Sequence, residues 1–192
     1  MFRALYDWTL RLAAHRHALR WMAVIAFCES SFFPIPPDAM VVPMVLARRD
    51  QAYRIAAVCT LASVLGGMLG YAIGYFLWDN VGQPLAHFYG MTEGVEGFRQ
   101  KFDEWGAAII LIKGLTPIPF KVVTIASGFA HFNFPLFVLC AAITRAARFF
   151  AIAWLLKRYG EPMQAFIERR LNLVAWAFLI LLAAGFAAVM LI

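Results

Sequence analysis

Residues 27–38 read FCESSFFPIPPD and interrupt a long apolar run with three prolines. Residues 113–121 read KGLTPIPFK and interrupt a second apolar run in the same way, with a Pro-Ile-Pro triplet 83 residues after that of the first stretch. Proline removes a backbone donor and disfavours the helical conformation of the preceding residue, so each motif predicts a helix break. The predicted break residues are Pro34, Pro36 and Pro37 in the first motif and Pro117 and Pro119 in the second.

The composition is that of an integral membrane protein. Of the 192 residues, 63% are hydrophobic and 15% are charged, whereas soluble domains are typically about 45–50% apolar and 25% charged. The net charge of +6 is scattered between the apolar runs. No aromatic-basic motif typical of nucleic-acid recognition accompanies it, so we expect no nucleic-acid partner.

The two halves of the chain repeat the same order of segments, which predicts one all-α membrane domain, 1–192, built from an inverted repeat. Hydropathy and segment length then assign the parts. The chain begins with an amphipathic N-terminal helix at 1–20 and ends with a final transmembrane helix at 171–192. The first repeat, 21–104, consists of a hairpin at about 21–47, a span at 55–78 and an outer loop at 79–104. The second repeat, 105–170, consists of a hairpin at about 105–130 and a span at 132–156.

Charge decides whether each broken run crosses the membrane or returns to the side from which it came. If each run crossed once, the basic segments 1–20 and 48–54 would lie on opposite sides, against the positive-inside rule. If each run is a re-entrant hairpin, the basic segments 1–20, 48–54 and 157–170 are all cytoplasmic and the acidic segment 79–104 is outside. A hairpin limb of about 12 residues is also too short to span. We therefore expect two oppositely oriented re-entrant hairpins, a cytoplasmic N-terminus and a periplasmic or extracellular C-terminus.

Six ionisable residues fall inside the apolar runs, where a charge costs about 2.5–3.5 kcal/mol on insertion scales and suggests function. They are Glu29 and Asp38 around the first break, Lys113 and Lys121 around the second, and Arg145 and Arg148 in the span 132–156. Four bases favour an anionic substrate that bears phosphate or carboxylate, and the two acids are candidates for proton or ion coupling. Because Arg145 and Arg148 are three residues apart, we expect both to approach one oxyanion.

Each charge also has a purely structural interpretation. Asp38 follows Pro37 at the start of a limb, where an acid suits the helix N-terminus. Glu29 and Lys121 oppose their helix dipoles and need partners, which a buried ion pair would supply. The arginines can instead snorkel to an interface. The hydroxyl residues beside the breaks either ligate an ion or cap freed backbone groups; they are Ser30, Ser31, Thr116 and Thr124.

Catalytic and metal-binding patterns are not found. The sequence contains no HExxH motif and no recognisable Ser-His-Asp or Cys-His arrangement. The three cysteines lie in apolar runs without CxxC spacing and are interpreted as small buried hydrophobic residues. We therefore expect no enzyme activity, no metal and no cofactor.

Both proline motifs, with the later Gly128, resemble the DedA family of membrane proteins with VTT (SNARE-associated) domains, and more narrowly its YqaA-like branch. The resemblance covers roughly residues 20–160. It implies a bacterial inner-membrane protein with two facing re-entrant hairpins, related to the eukaryotic VTT-domain lipid scramblases. Members of the family are implicated in moving lipid-linked phosphates, including undecaprenyl phosphate, and in envelope homeostasis that depends on the proton-motive force.

The same resemblance implies roles for single residues. Glu29 and Asp38 correspond to the family's acids, and Lys113 and Lys121 correspond to its bases. The family more commonly has two arginines close to a single proline, whereas this chain has lysines eight residues apart. Phosphate recognition is therefore expected to involve the two arginines of the span 132–156.

Our leading hypothesis is a multi-pass transporter whose bases hold an anionic lipid or a lipid-linked phosphate, such as a polyprenyl phosphate or a phospholipid. One alternative is a small-solute or ion transporter that uses the same site. Another is a non-transporting membrane scaffold whose charges only pin the hairpins. A homo-oligomer is left open, with the glycine ladder Gly66, Gly70 and Gly74 as an available packing face.

Overall fold

The computed structural model describes residues 15, 17–32, 36–82, 92–115 and 119–169, with side chains at these positions except 79, 81, 92–95, 113, 115 and 161–169. The predicted amphipathic helix lies outside the described residues over 1–14, as does the predicted final span at 171–192. Two of the predicted break residues, Pro34 and Pro117, also lie outside this part of the chain.

The first apolar run forms two helices separated by the first proline motif. Helix α1, Ala18–Ser31, ends three residues before Pro34, and helix α2, Asp38–Ala47, begins directly after Pro37. The amide groups of Met40 and Val41 donate to the Pro37 carbonyl oxygen at 2.9 and 3.0 Å. A 3₁₀ turn, Arg49–Gln51, then leads into helix α3, Ala52–Leu77, which ends in a π-helical turn, Trp78–Gly82.

The second apolar run is broken in the same way. Helix α4, Thr92–Leu115, ends before the second motif, and helix α5, Phe120–Phe129, starts directly after Pro119. Helix α6, Phe134–Arg169, follows and is kinked at Tyr159, where φ is −121° and ψ is 24°. Helices thus end before each proline motif and begin again after it, and the described residues contain helices but no strand.

Two helices extend beyond their predicted segments. Helix α4 begins at Thr92, inside the segment 79–104 that the sequence assigns to an outer loop, and helix α6 continues to Arg169 instead of ending at residue 156. Both extensions contain charged residues with high helix propensity, such as Glu, Lys and Arg. The extension of α6 includes the kink at Tyr159. Loss of hydrophobicity marks the expected edge of a membrane, and a helix can continue past that edge.

The chain divides into two compact units, each with its own apolar core. The first unit comprises Met1–Ala26, Ile35–Ala62 and Ala146–Ile192, and the second comprises Phe27–Pro34 and Ser63–Arg145. The largest fully buried apolar side chains of the first core are Met22, Met40, Val41, Val45, Ile55 and Phe149. Those of the second core are Ile110, Phe120 and Phe137.

Within the described residues, two helical stretches, Arg49–Leu77 and Phe134–Gly160, are long and apolar enough to cross a membrane. Helix α3 shows the corresponding surface pattern, because Leu61, Leu65 and Leu69 are exposed at every fourth position. A stripe of exposed leucines suits contact with lipid chains and would be unfavourable in water.

Helix α5 passes into α6 through a tight C-terminal cap. The amide of Phe132 donates to the Ser127 carbonyl at 3.0 Å, and the amide of His131 donates to the Gly128 carbonyl at 2.9 Å. This pair of bonds is the Schellman motif, and His131 adopts the left-handed conformation (φ 58°) that the motif requires. The Tyr71 hydroxyl of α3 donates to the Phe132 carbonyl at 2.5 Å, so the start of α6 is tied to α3.

Candidate functional site

The last turn of α1 packs directly on α3. The Ser31 hydroxyl lies 2.8 Å from the carbonyl oxygens of both Phe27 and Gly66, so its single proton is shared between them. A Cβ atom at Gly66 would overlap the Phe27 backbone carbonyl. Glycine therefore permits a backbone approach that a larger residue would prevent.

The start of α5 packs on the same face of α3. The Thr124 hydroxyl lies 3.1 Å from the Ser30 carbonyl oxygen and 3.0 Å from the Lys121 carbonyl oxygen. A Cβ atom at Gly70 would overlap the Thr124 side chain, and one at Gly74 would overlap the Ile125 carbonyl. The glycine ladder thus carries internal packing, and Thr124 supplies a partner to a carbonyl at the end of α1, where helical partners run out.

A buried ion pair lies beside these contacts within the second unit. The Arg145 guanidinium of α6 is 3.9 Å from the Glu29 carboxylate, and the two side chains are only 3% and 12% exposed. The Ser30 hydroxyl is 3.2 Å from Glu29 Oε2 and 2.6 Å from the hydroxyl of Ser63, which is fully buried. At 3.9 Å the two charges attract each other, but the distance exceeds that of a direct hydrogen bond.

Arg145 also contacts the second proline motif. Its guanidinium carbon lies 3.7 Å from the centroid of the Phe120 ring, a cation–π distance. Phe120 is the first residue of α5 and follows Pro119 directly. One arginine therefore contacts a carboxylate from the first motif and an aromatic ring from the second. We call these five residues the Glu29 cluster: Glu29, Ser30, Ser63, Phe120 and Arg145.

A second ion pair lies within the first unit. The Arg148 guanidinium donates to Asp38 Oδ2 at 2.5 Å, and the side chains are 26% and 19% exposed. Asp38 is the first residue of α2, where the helix dipole stabilises its negative charge. Its other oxygen, Oδ1, is buried and has no hydrogen-bond partner among the described residues.

The structure describes the two lysines of the second motif less completely than the acids and arginines. Lys121 is partly buried in the first turn of α5, and among the described residues its ammonium group forms no ion pair. Lys113 lies near the end of α4, and its side chain is outside the described part of the structure. No group of three or more metal-binding side chains occurs in the described residues.

The structure thus joins the predicted residues as two acid–arginine pairs, Glu29 with Arg145 and Asp38 with Arg148. Each arginine contacts its own carboxylate, whereas the sequence had suggested one shared oxyanion. The coupling and substrate-binding roles of these residues remain predictions. Ser63 and Phe120 were not predicted as site residues. The position of Phe120 between Pro119 and Lys121 is the sequence feature that could have indicated it.

Comparison with known proteins identifies the family of this chain. Residues 36–158 match the VTT domain, which is the domain of the DedA family. This chain belongs to the VTT-domain family. It is therefore a DedA-type membrane protein, as the proline motifs suggested.

Two relatives of this VTT-domain protein cover almost its whole length. An uncharacterised protein of Haemophilus influenzae is 34% identical over 184 residues, with 94% of each chain covered. An uncharacterised protein of Histophilus somni is 34% identical over 181 residues, again with 94% of each chain covered. No solved structure matches the chain.

Proposed function

We propose that this VTT-domain protein translocates an anionic lipid or lipid-linked phosphate across the bacterial inner membrane, with Glu29 as the proton-coupling group. The observation that carries the proposal is the position of Arg145, whose buried guanidinium contacts Glu29 and Phe120. A cation buried between two helix breaks is expensive unless it serves an anion, and such breaks form the substrate sites of many transporters.

The proposal assigns a re-entrant path to α1–α2 and to α4–α5, as two inverted repeats with the N-terminus in the cytoplasm. Helices α2 and α5 are each 10 residues long, which corresponds to about 15 Å of rise and is half of the hydrocarbon thickness. Helix α4 is longer, but its first half is polar and its apolar part begins near Trp105. These lengths support limbs that enter the membrane and return.

In this mechanism Glu29 and the substrate phosphate compete for Arg145. When Glu29 is ionised, its carboxylate neutralises the guanidinium. When Glu29 takes up a proton, the attraction is lost and Arg145 can bind a phosphate oxygen by charge-assisted hydrogen bonds. The present separation of 3.9 Å, without a direct hydrogen bond, suits a partner that must be released.

Other groups of the site have supporting roles in the mechanism. Ser30 and Ser63 form a hydroxyl pair that can hold the Glu29 side chain in either protonation state, because a hydroxyl both donates and accepts. Lys121 supplies a second positive charge without an acidic partner in the described structure. The mechanism requires binding, proton transfer and movement, and no covalent catalysis.

Translocation of a head-group-labelled anionic lipid in proteoliposomes tests the proposal. We expect flipping by the wild-type protein and by Arg158→Gln, which removes an exposed arginine of the same helix. We expect little flipping by Glu29→Gln or Arg145→Gln, with partial recovery in Arg145→Lys because the positive charge returns. Uptake of a water-soluble anion without lipid flipping would favour the small-solute transporter instead.

The charge swap separates transport from scaffolding. If the pair only pins the helices, Glu29→Arg combined with Arg145→Glu should restore the function that either single reversal destroys. A transporter needs the base and the acid in their own positions, so we expect the double variant to remain inactive. Full recovery by the swap would contradict the proposed mechanism.

A further inference from the structure

A second basic site lies in the first unit and is built from residues outside the Glu29 cluster. A cavity of about 220 Å³ opens where α1 begins and where α2 passes into α3. Its polar lining consists of His15, Arg48, Gln51 and Arg54. Among the described residues no carboxylate lines it, and the only nearby acid of the same turn, Asp50, is exposed and not part of the lining.

The backbone explains why these basic groups converge. Arg48, Gln51 and Arg54 are spaced at three-residue intervals through the 3₁₀ turn and the first turn of α3. Side chains three residues apart overlie one another in a 3₁₀ helix and remain neighbours in an α-helix, so the three lie along one edge. The Gln51 amide donates to the Arg48 carbonyl at 3.0 Å, and the Arg48 amide donates to the Met44 carbonyl at 3.0 Å.

The opposite wall comes from the start of α1. The Ala18 amide donates to the His15 carbonyl at 3.0 Å, which fixes the histidine at the helix entrance. The His17 amide donates to His15 Nδ1 at 3.2 Å, so Nε2 is the ring nitrogen that carries the proton in the neutral imidazole. The cavity can therefore offer donors from two arginines, one imidazole and one carboxamide.

The inner surface of the cavity is apolar. Ala18, Met44 and Ile55 line it and belong to the buried core of the first unit. Arg48 and Arg54, in contrast, are exposed at the rim. The cavity therefore has an apolar interior below a cationic rim. It lies beside the short apolar helix α2 and helix α3, which is long enough to cross a membrane. Such a cavity suits a molecule with a phosphate at the membrane surface and a hydrocarbon part beneath it.

We propose that this cavity binds a phosphate-bearing anion, with Arg48 and Arg54 as the ligands of the phosphate. Arginine suits the task because its planar fork donates two parallel hydrogen bonds to neighbouring phosphate oxygens. The anion is the head group of an anionic glycerophospholipid or a free phosphate, since the rim recognises both by the same contacts. The site is independent of translocation by the Glu29 cluster.

Binding of phosphatidylglycerol to the detergent-solubilised protein, measured by native mass spectrometry, tests the site. We expect Arg48→Gln combined with Arg54→Gln to lower the affinity about 30-fold, since each basic residue near an anionic surface contributes roughly fivefold. The matched control, Arg20→Gln combined with Arg158→Gln, also removes two exposed arginines and should bind as the wild type does. Equal losses in both double variants, or none in the first, would overturn the proposal.

A second variant keeps the test valid if the first folds poorly. Gln51→Glu preserves the size of the side chain but places a negative charge between the two arginines, so we expect it to abolish binding of phosphatidylglycerol. Competition by inorganic phosphate identifies the source of the anion: displacement at millimolar phosphate indicates a free anion, and resistance indicates a lipid head group. Unchanged binding by Gln51→Glu would contradict the site for either source.

Discussion

Two arginines of helix α6 each pair with one acid, and the two pairs differ in burial and geometry. In the first unit Arg148 donates to Asp38 at 2.5 Å, and both side chains remain partly exposed. In the second unit Arg145 is 3% exposed, yet it lies 3.9 Å from Glu29 and stacks on Phe120. The more buried pair is therefore the looser one.

This difference separates structural from exchangeable pairing. A close, partly exposed pair at a helix start suits a contact that holds α2 in place. A buried pair whose charged groups form no direct hydrogen bond with each other bears the full desolvation cost, but its attraction is weaker than at optimal geometry. We interpret this as the condition of a site that must accept another anion, and the following predictions test the comparison.

The largest effect on stability is expected at the buried pair. Arg145→Ala leaves the Glu29 carboxylate buried without its counter-charge and removes the ring contact with Phe120. The free energy of unfolding should fall by about 3–5 kcal/mol. Chemical unfolding in detergent measures it, and a loss no greater than that of Arg148→Ala would remove the distinction between the pairs.

The close packing beneath the buried pair should give the next largest effect. Gly66→Ala would bring a methyl group onto the Phe27 backbone, which cannot move easily, so we expect a loss of about 1–3 kcal/mol. Gly97→Ala in α4 is the matched control. Its methyl group would have no neighbouring atom within 4 Å. Similar unfolding midpoints for both variants would show that the backbone contact is unimportant.

A smaller change is expected from the hydroxyl pair. Ser63→Ala removes the 2.6 Å contact with the Ser30 hydroxyl but leaves the contact between Ser30 and Glu29. Loss of one such hydrogen bond should lower the free energy of unfolding by about 1 kcal/mol. Thermal unfolding of purified protein measures the change, with wild-type stability as the result that would exclude a role for Ser63.

The smallest effect is expected at the less buried pair. Arg148→Ala removes the contact with Asp38, but the remaining carboxylate is 19% exposed and keeps its favourable position at the start of α2. The loss should be about 1 kcal/mol or less. A fall as large as that of Arg145→Ala, in the same unfolding assay, would mean that exposure does not distinguish the pairs.

The sequence predicted the helix breaks and a packing face on α3 because both depend on local residue types, but it did not predict that α1 and α5 contact this face. Closely spaced prolines interrupt a helix locally, whereas the single Pro43 is accommodated inside α2. Gly66, Gly70 and Gly74 of α3 share one face by helical periodicity. The end of α4 at Leu115 and the start of α2 at Asp38 follow from the same local rule.

Which acid pairs with which base could not be predicted from local residue types. Asp38 and Arg148 are 110 residues apart, and the sequence offered several acids and bases with similar spacing. Pairing depends on how α6 packs, and Ser63 gave no local indication because an isolated serine in an apolar helix is common. The extension of α4 to Thr92 was missed because the polar residues there predict a position outside the membrane and do not predict a helix end.

The competition between Glu29 and phosphate for Arg145 can be measured directly. In an Arg48→Gln, Arg54→Gln background, which removes the second basic site, the affinity for a short-chain lipid phosphate is compared with and without Glu29→Gln. Release of Arg145 from its carboxylate should tighten binding by about tenfold or more, as expected for one charge-assisted hydrogen bond. Unchanged or weaker binding by the Glu29→Gln protein would contradict the exchange of anions at Arg145.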